Sequence, residues 1–115
     1  MWVRLQKAGG WLMMVQGAAH ATLGTPMVFD AVTQDAIWFA GSGLAMVFLG
    51  LLNVGPWDGA SPGHRRRVIA ANTIWLLLMA GLLSTSRSAR VIVALMLAAS
   101  CLAGSLLRRP RPGRD

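Results

Sequence analysis

The sequence has little charge, and this shortage argues against most soluble folds. Only 13% of its 115 residues are charged, whereas 55% are hydrophobic. A soluble domain normally carries about a quarter charged residues. Glutamate is absent altogether, and lysine occurs once, at position 7. The composition therefore disfavours both a soluble globular enzyme and a disordered chain.

The motifs of common enzymes are missing as well. The single cysteine, Cys101, cannot form an intramolecular disulfide and fits no zinc pattern. There is no glycine-rich phosphate loop, no Gly-x-Ser-x-Gly and no His-x-x-x-His, and the four aspartates lie in loops or in the tail. Hydrolytic and nucleotide-dependent chemistry therefore have no visible machinery. We expect no bound cofactor and lean against an enzyme.

Four long apolar segments dominate what is present. They cover residues 8–24, 36–54, 68–86 and 91–107, followed by a basic tail at 108–115. Each segment is near the ~17–25 residues that cross a ~30 Å hydrocarbon layer, and in lipid each must be helical to satisfy its own backbone. The sequence therefore predicts an all-α membrane protein, a single domain over 1–115, with four transmembrane helices in a compact antiparallel bundle.

The basic residues predict the orientation of the bundle. If both termini are cytoplasmic, nine of the eleven basic residues lie on that side, and only Arg87 and Arg90 lie on the other. This asymmetry is a positive-inside signal, typical of a multi-pass protein of the bacterial inner membrane. The net charge of +7 then indicates topology and not a nucleic-acid partner. We expect anionic headgroups to contact Arg65, Arg66, Arg67, Arg108 and Arg109.

Small residues recur every seven positions in the first two segments. The first series is Gly10, Gly17 and Gly24, and the second is Ala36, Gly43 and Gly50. A seven-residue period keeps a nearly constant face, and small residues let helix backbones approach in lipid. The two series match in antiparallel register, which predicts a close helix pair. The alternative is that glycine is simply frequent in membrane helices.

The fourth segment has its own small-residue spacing. Two pairs lie four residues apart in the small-xxx-small pattern, Ala99 with Ala103 and Ser100 with Gly104. This face can pack against the third segment or against a second copy of the chain. Four helices of this length enclose little volume, so a homo-oligomer is expected.

His20 is the most interesting polar residue at membrane depth, because such residues are default candidates for function. It shares the close-packed face of Gly17 and Gly24, and Gln16 lies one turn before it. At its level on the second helix we expect Phe39. A neutral histidine that only bonds across the helix pair is the plainest interpretation.

Three chemical roles remain open for His20. It can relay a proton, with Asp35 as partner and Gln16 orienting the ring. It can ligate a metal or haem, with Met79 or Met96 on the opposite side. It can also act as the general acid or base on an apolar substrate.

A second polar pair flanks the loop between the second and third segments. Asn53 and Asn72 can hydrogen-bond to each other and lock these two helices together. Asn72 lies on one helical stripe with Trp75 and Met79. This stripe can instead line a ligand pocket.

The leading functional interpretation is a protein that binds or translocates a small apolar or amphipathic molecule between its helices. The expected ligand-contacting residues are Gln16, His20, Phe39, Asn72, Trp75 and Met79. One alternative is a membrane-embedded, isomerase-like enzyme that uses His20, with or without haem. The other is a non-catalytic subunit or assembly factor of a membrane complex.

In length and helix number the chain resembles the small multidrug resistance transporters. Those proteins depend on a glutamate within the first membrane helix, and this chain contains no glutamate. Gln16 lies at a similar depth but cannot carry a proton. If His20 carried the proton instead, the chemistry would differ from that of the transporters. The resemblance covers size and topology only, so it does not imply drug export. Small haem-containing membrane isomerases offer no motif that can be matched residue by residue.

Overall fold

The computed structural model describes residues 1–55 and 62–107. Features predicted for residues 56–61 and for the tail at 108–115, including Arg108 and Arg109, lie outside this part of the chain. The helices are α1 (Trp2–Ala19), α2 (Thr25–Val28), α3 (Gln34–Val54), α4 (Pro62–Thr85) and α5 (Ala89–Leu107), with a π-helical turn, His20–Gly24, joining α1 to α2. All regular structure in the described residues is helical, which confirms the predicted all-α class.

Three of the helices are long and apolar enough to cross a membrane. They are α3, α4 and α5, whose most apolar windows have mean hydropathies of 1.8, 1.8 and 2.1. These lengths and compositions point to a membrane protein. The helix α1, which carries Arg4 and Lys7, is not among the three.

The helices begin earlier than the apolar segments do. The first starts at Trp2 instead of residue 8, and α4 starts at Pro62 instead of residue 68. Proline suits the first helical position, because the amide hydrogen that it lacks has no partner there. Charged residues shorten the part of a segment that can lie in lipid. They do not prevent the helix from extending beyond that part. The arginines at 65–67 therefore lie on α4 and not in the preceding loop.

The first helical stretch continues without a break from Trp2 to Val28. The backbone is right-handed helical on both sides of the π-helical turn, and it becomes extended only at Phe29. Within the turn the amide of Thr25 donates to the carbonyl of His20, five residues back. The next residue is Pro26, which has no amide hydrogen and disturbs the regular ladder. A widened turn is a common solution at such a point.

Glycines bring α1 and α3 into backbone contact. A Cβ atom added at Gly17 would lie 2.5 Å from the carbonyl oxygen of Gly43, and one added at Gly50 would lie 2.5 Å from that of Gly10. These are the pairs that the seven-residue spacing predicts. The nearest side chain to Gly24 is Phe39, at 3.5 Å, and not the predicted Ala36. Contacts between 10 and 50 and between 17 and 43 mean that the two helices run in opposite directions.

A second face of α1 packs against α5 in the same way. A Cβ atom at Gly9 would lie 2.8 Å from Ser100 Oγ, and one at Gly104 would lie 2.6 Å from Gln6 Cβ. Ser100 and Gly104 thus lie against the first helix, and not against the third segment as one expectation had it. The helix α1 is therefore held between α3 and α5, while α4 packs mainly along α5 and meets α3 at few positions.

Candidate functional site

Four buried polar side chains meet inside the protein, one from each long helix. They are Gln6 of α1, Asn53 of α3, Asn72 of α4 and Ser105 of α5, and each has a relative exposure of 0%. We refer to these four residues as the polar cluster. Burying amides in a membrane protein is costly unless they are hydrogen-bonded, so the contacts within the cluster decide what it does.

The two asparagines pair with each other and are joined by Gln6. Asn53 Nδ2 donates to Asn72 Oδ1 at 2.8 Å, and Asn72 Nδ2 donates to Asn53 Oδ1 at 2.9 Å. Gln6 Nε2 donates to Asn53 Oδ1 at 3.2 Å. The sequence suggested the Asn53–Asn72 pair, but the pair is only part of a larger network.

Ser105 accepts hydrogen bonds from two of the three amide side chains. Its Oγ accepts from Gln6 Nε2 and from Asn72 Nδ2, each at 3.1 Å, and donates to the carbonyl of Cys101 at 2.7 Å. Asn53 Nδ2 also donates to the carbonyl of Leu49 at 2.9 Å. Each helix is thus linked to the others through side chains that have no access to solvent. The one buried cluster atom without a partner in the described residues is Gln6 Oε1.

An apolar, sulfur-rich region lies next to the polar cluster. Its buried members are Met13, Met46, Leu49, Trp75, Met79, Ala94, Ala98 and Cys101, and we call them the methionine core. Trp75 follows Asn72 by one helical turn on the same face of α4, so the core and the cluster adjoin. Cys101 also connects them, because its Sγ lies 3.8 Å from the carbonyl oxygen of Gln6.

Trp75 brings a polar atom into this apolar core. The side chain is 9% exposed, and its indole Nε1 is buried without an acceptor in the described residues. Leaving a buried donor unpaired costs on the order of 1–3 kcal/mol. Tryptophan N–H groups usually find a partner when they are buried. Trp75 therefore presents a hydrogen-bond donor to any acceptor that reaches this core.

His20 lies in a different part of the molecule, at the π-helical turn. Its ring stacks on Phe39 of α3, with the ring centroids 3.9 Å apart and the planes at 24°. Ser42 Oγ lies 3.1 Å from His20 Nε2 and donates to the carbonyl of Phe39 at 2.7 Å. The ring and the hydroxyl therefore form a hydrogen bond across the two helices, and its direction depends on the tautomer of His20. We call His20, Phe39 and Ser42 the histidine group.

The other residues predicted around His20 make separate contacts. Gln16 Nε2 donates to the carbonyl of Arg90 at 3.3 Å, which joins α1 to the start of α5. Asp35 is exposed in the first turn of α3, where Thr33 Oγ1 accepts from the amide of Ala36 as the helix cap. The structure therefore shows His20 with Phe39 and Ser42, whereas Gln16 and Asp35 have other surroundings.

The predicted ligand-contacting residues thus fall into two sets. Asn72, Trp75 and Met79 belong to the polar cluster and the methionine core. Gln16, His20 and Phe39 lie near the π-helical turn. Gln6 and His20 are separated by about 21 Å along the first helix, at 1.5 Å per residue.

The two methionines considered as partners of His20 also differ. Met79 is 7% exposed within the methionine core, whereas Met96 is 67% exposed on the outside of α5. Residues 1–55 and 62–107 contain no group of three or more His, Cys, Asp or Glu that is arranged to hold a metal ion. A haem held by His20 stays a prediction.

Sequence reasoning missed Gln6 and Ser105. Gln6 lies between Arg4 and Lys7, before the first apolar segment, so its position does not predict a residue at membrane depth. Its spacing carried a usable signal, because it precedes Gly9 and Gly10 by three and four residues and shares their face. Both glycines face a neighbouring helix, so a polar residue on that face is directed inward.

Comparisons with known proteins add no family to this description. No protein-family model matches the chain, and no curated protein and no solved structure is similar to it.

Proposed function

We propose that this chain is a four-helix protein of the bacterial inner membrane that binds a small apolar or amphipathic molecule between its helices. The observation that carries the proposal is the indole N–H of Trp75, which is buried in an apolar core without an acceptor. Ligand sites are mostly apolar, with a few placed polar groups. The methionine core together with Trp75 has this character.

The methionine core is suited to binding a small molecule because its flexible side chains can rearrange. Met13, Met46 and Met79 contribute to it from three different helices. Methionine is unbranched and flexible, and it is common at binding surfaces that adapt to their ligands. A small molecule enters such a core by displacing methionine side chains, while the hydrogen-bonded polar cluster below keeps the helices together.

The proposed fourth crossing is the helical stretch from Trp2 to Val28. At 1.5 Å per residue it is about 40 Å long, enough to span a ~30 Å hydrocarbon layer. Its charged residues, Arg4 and Lys7, lie in the first two turns, where they can reach the cytoplasmic headgroups.

The position of Arg65 supports the orientation with both termini inside. Its Nη2 donates to the carbonyl of Leu106 at 3.0 Å, so the basic start of α4 lies beside the end of α5. A cation at a helix C-terminus also complements the helix dipole. This arrangement gathers basic residues at one end of the helices, as a cytoplasmic face requires. Contact with anionic headgroups and self-association remain part of the proposal.

The test uses Trp75 as its own reporter. The chain has five tryptophans, and replacing Trp2, Trp11, Trp38 and Trp57 by phenylalanine leaves only Trp75. The purified protein in mild detergent is titrated with 1-bromodecane and with 10-bromodecan-1-ol, because bromine quenches indole fluorescence on contact. We expect quenching of Trp75 that saturates at low probe-to-detergent ratios.

The matched control retains Trp38 instead, which is 72% exposed on α3. Its quenching should rise in proportion to the probe in the micelle, without saturation. If Trp75 is quenched by neither probe at ratios that quench Trp38, while circular dichroism shows a folded protein, the core takes no such ligand and the proposal fails.

A further inference from the structure

We infer that the molecule held in the methionine core carries a neutral hydroxyl group, which donates to Gln6 Oε1 and accepts from Trp75 Nε1. This inference rests on the proposed binding function and narrows it to a chemical class. The ligand is then an alcohol with an apolar body, such as a long-chain or isoprenoid alcohol.

Every hydrogen that the polar cluster can donate is already used. Three amide NH₂ groups and one hydroxyl offer seven hydrogens. The cluster makes seven hydrogen bonds as a donor. No hydrogen is left over for a guest. What the cluster still offers is an acceptor, the fully buried Gln6 Oε1.

Trp75 Nε1 can only donate. Trp75 and Gln6 are linked through the cluster, since Gln6 and Asn72 donate to the same Ser105 Oγ and Trp75 follows Asn72 by one turn. A hydroxyl serves both atoms because it donates once and accepts as well. The oxygen of an ether or ketone only accepts, so it can bond to Trp75 but not to Gln6 Oε1. An ammonium group only donates, so it can bond to Gln6 Oε1 but not to Trp75.

The polar cluster and the methionine core contain no acidic or basic side chain. Burying an ionised carboxylate or amine without a counter-charge is far more costly than burying a hydrogen-bonded hydroxyl. The site therefore selects a neutral head group over a fatty acid or an alkylamine.

The experiment compares head groups on one brominated chain. The protein that retains only Trp75 is titrated with 10-bromodecan-1-ol, its methyl ether and 10-bromodecanoate at pH 8, each corrected for partition into detergent. We expect the alcohol to bind at least ten times more tightly than the ether or the carboxylate. Equal binding of alcohol and ether overturns the inference but leaves the binding function in place. Absence of saturable quenching with all three probes means that the binding function itself fails.

A second variant, Trp75→Phe, keeps an aromatic ring in the core and removes the unpaired donor. Its resting melting temperature should equal or exceed that of the parent, because an unsatisfied buried group is lost. Decanol should raise the melting temperature of the parent clearly more than that of Trp75→Phe. The matched variant Trp11→Phe, at a position that is 55% exposed, should respond to decanol as the parent does. An undiminished response in Trp75→Phe rules out the assigned hydrogen bond.

Discussion

The polar cluster and the histidine group hold the same first helix by different means. At the cluster, four side chains with no solvent access exchange hydrogen bonds across four helices. At the histidine group, a partly exposed ring stacks on Phe39 and bonds to the exposed Ser42 across two helices only. The first arrangement fixes the positions of the helices, whereas the second can open at small cost.

This difference matches the local backbone. Around Gln6, α1 is a regular helix with glycines against both α3 and α5. Around His20 the helix widens into a π-helical turn just before Pro26. A regular helix with buried hydrogen bonds is locally stable, whereas an irregular helix with exposed contacts opens more readily. We expect the end of the bundle near His20 to open first.

The largest effect should come from Gly17→Ala. The new methyl group would lie 2.5 Å from the carbonyl oxygen of Gly43, a backbone atom that cannot move without shifting α3. Overpacking of this kind costs about 3 kcal/mol. The free energy of unfolding in mixed micelles measures it. Gly41→Ala is the matched control on α3, where an added Cβ has no atom within 4 Å. Equal stability of the two variants would contradict the close contact.

A smaller but still large effect is expected for Asn72→Ala. The change removes three hydrogen bonds to Asn53 and Ser105 and leaves one buried amide hydrogen of Asn53 without its acceptor. We expect a loss of about 2 kcal/mol in the free energy of unfolding. Thr73→Ala is the control, because Thr73 Oγ1 bonds only within its own helix, to Ile69. A loss no greater than that of Thr73→Ala would mean that the cluster does not hold the bundle.

The smallest effect should follow from Ser42→Ala in the histidine group. It removes one contact across helices, to His20, and such bonds in membrane proteins average about 0.6 kcal/mol. Ser84→Ala serves as the control, since Ser84 Oγ also bonds within its helix, to the carbonyl of Gly81 at 2.6 Å, and is exposed. Hydrogen exchange should show faster opening near residues 20–24 in Ser42→Ala alone. A destabilisation as large as that of Asn72→Ala would remove the contrast between the two regions.

Much of the fold could be predicted because membrane helices leave clear marks in a sequence. Long apolar runs predicted where α3, α4 and α5 lie in the sequence. The seven-residue spacing of glycines predicted the contacts Gly10–Gly50 and Gly17–Gly43. Spacing succeeds there because a backbone contact requires a small residue at that place. Charge was a poorer guide to where helices begin, since α4 extends six residues before residue 68.

The site could be predicted only in pieces. Asn53 and Asn72 flank one loop, so their meeting follows from the connection between two helices. The contributions of Gln6 and Ser105 depend on how α1 and α5 pack, and these residues are 99 positions apart. Ser100 and Gly104 did not predict which helix packs against α5, because a face of small residues can pack against any of several helices. Packing among four helices decides such a question.

The hydrogen bonding of the polar cluster also sets an order for biogenesis. Helices leave the ribosome one after another, and Ser105 lies in the last turn and a half of α5. Until α5 packs, Gln6 and Asn72 lack the oxygen that both donate to. In the proposed membrane protein, a partly assembled intermediate therefore leaves amide hydrogens of Gln6 and Asn72 without this acceptor. Completion of the bundle, and not insertion of any one helix, is the step that hides them.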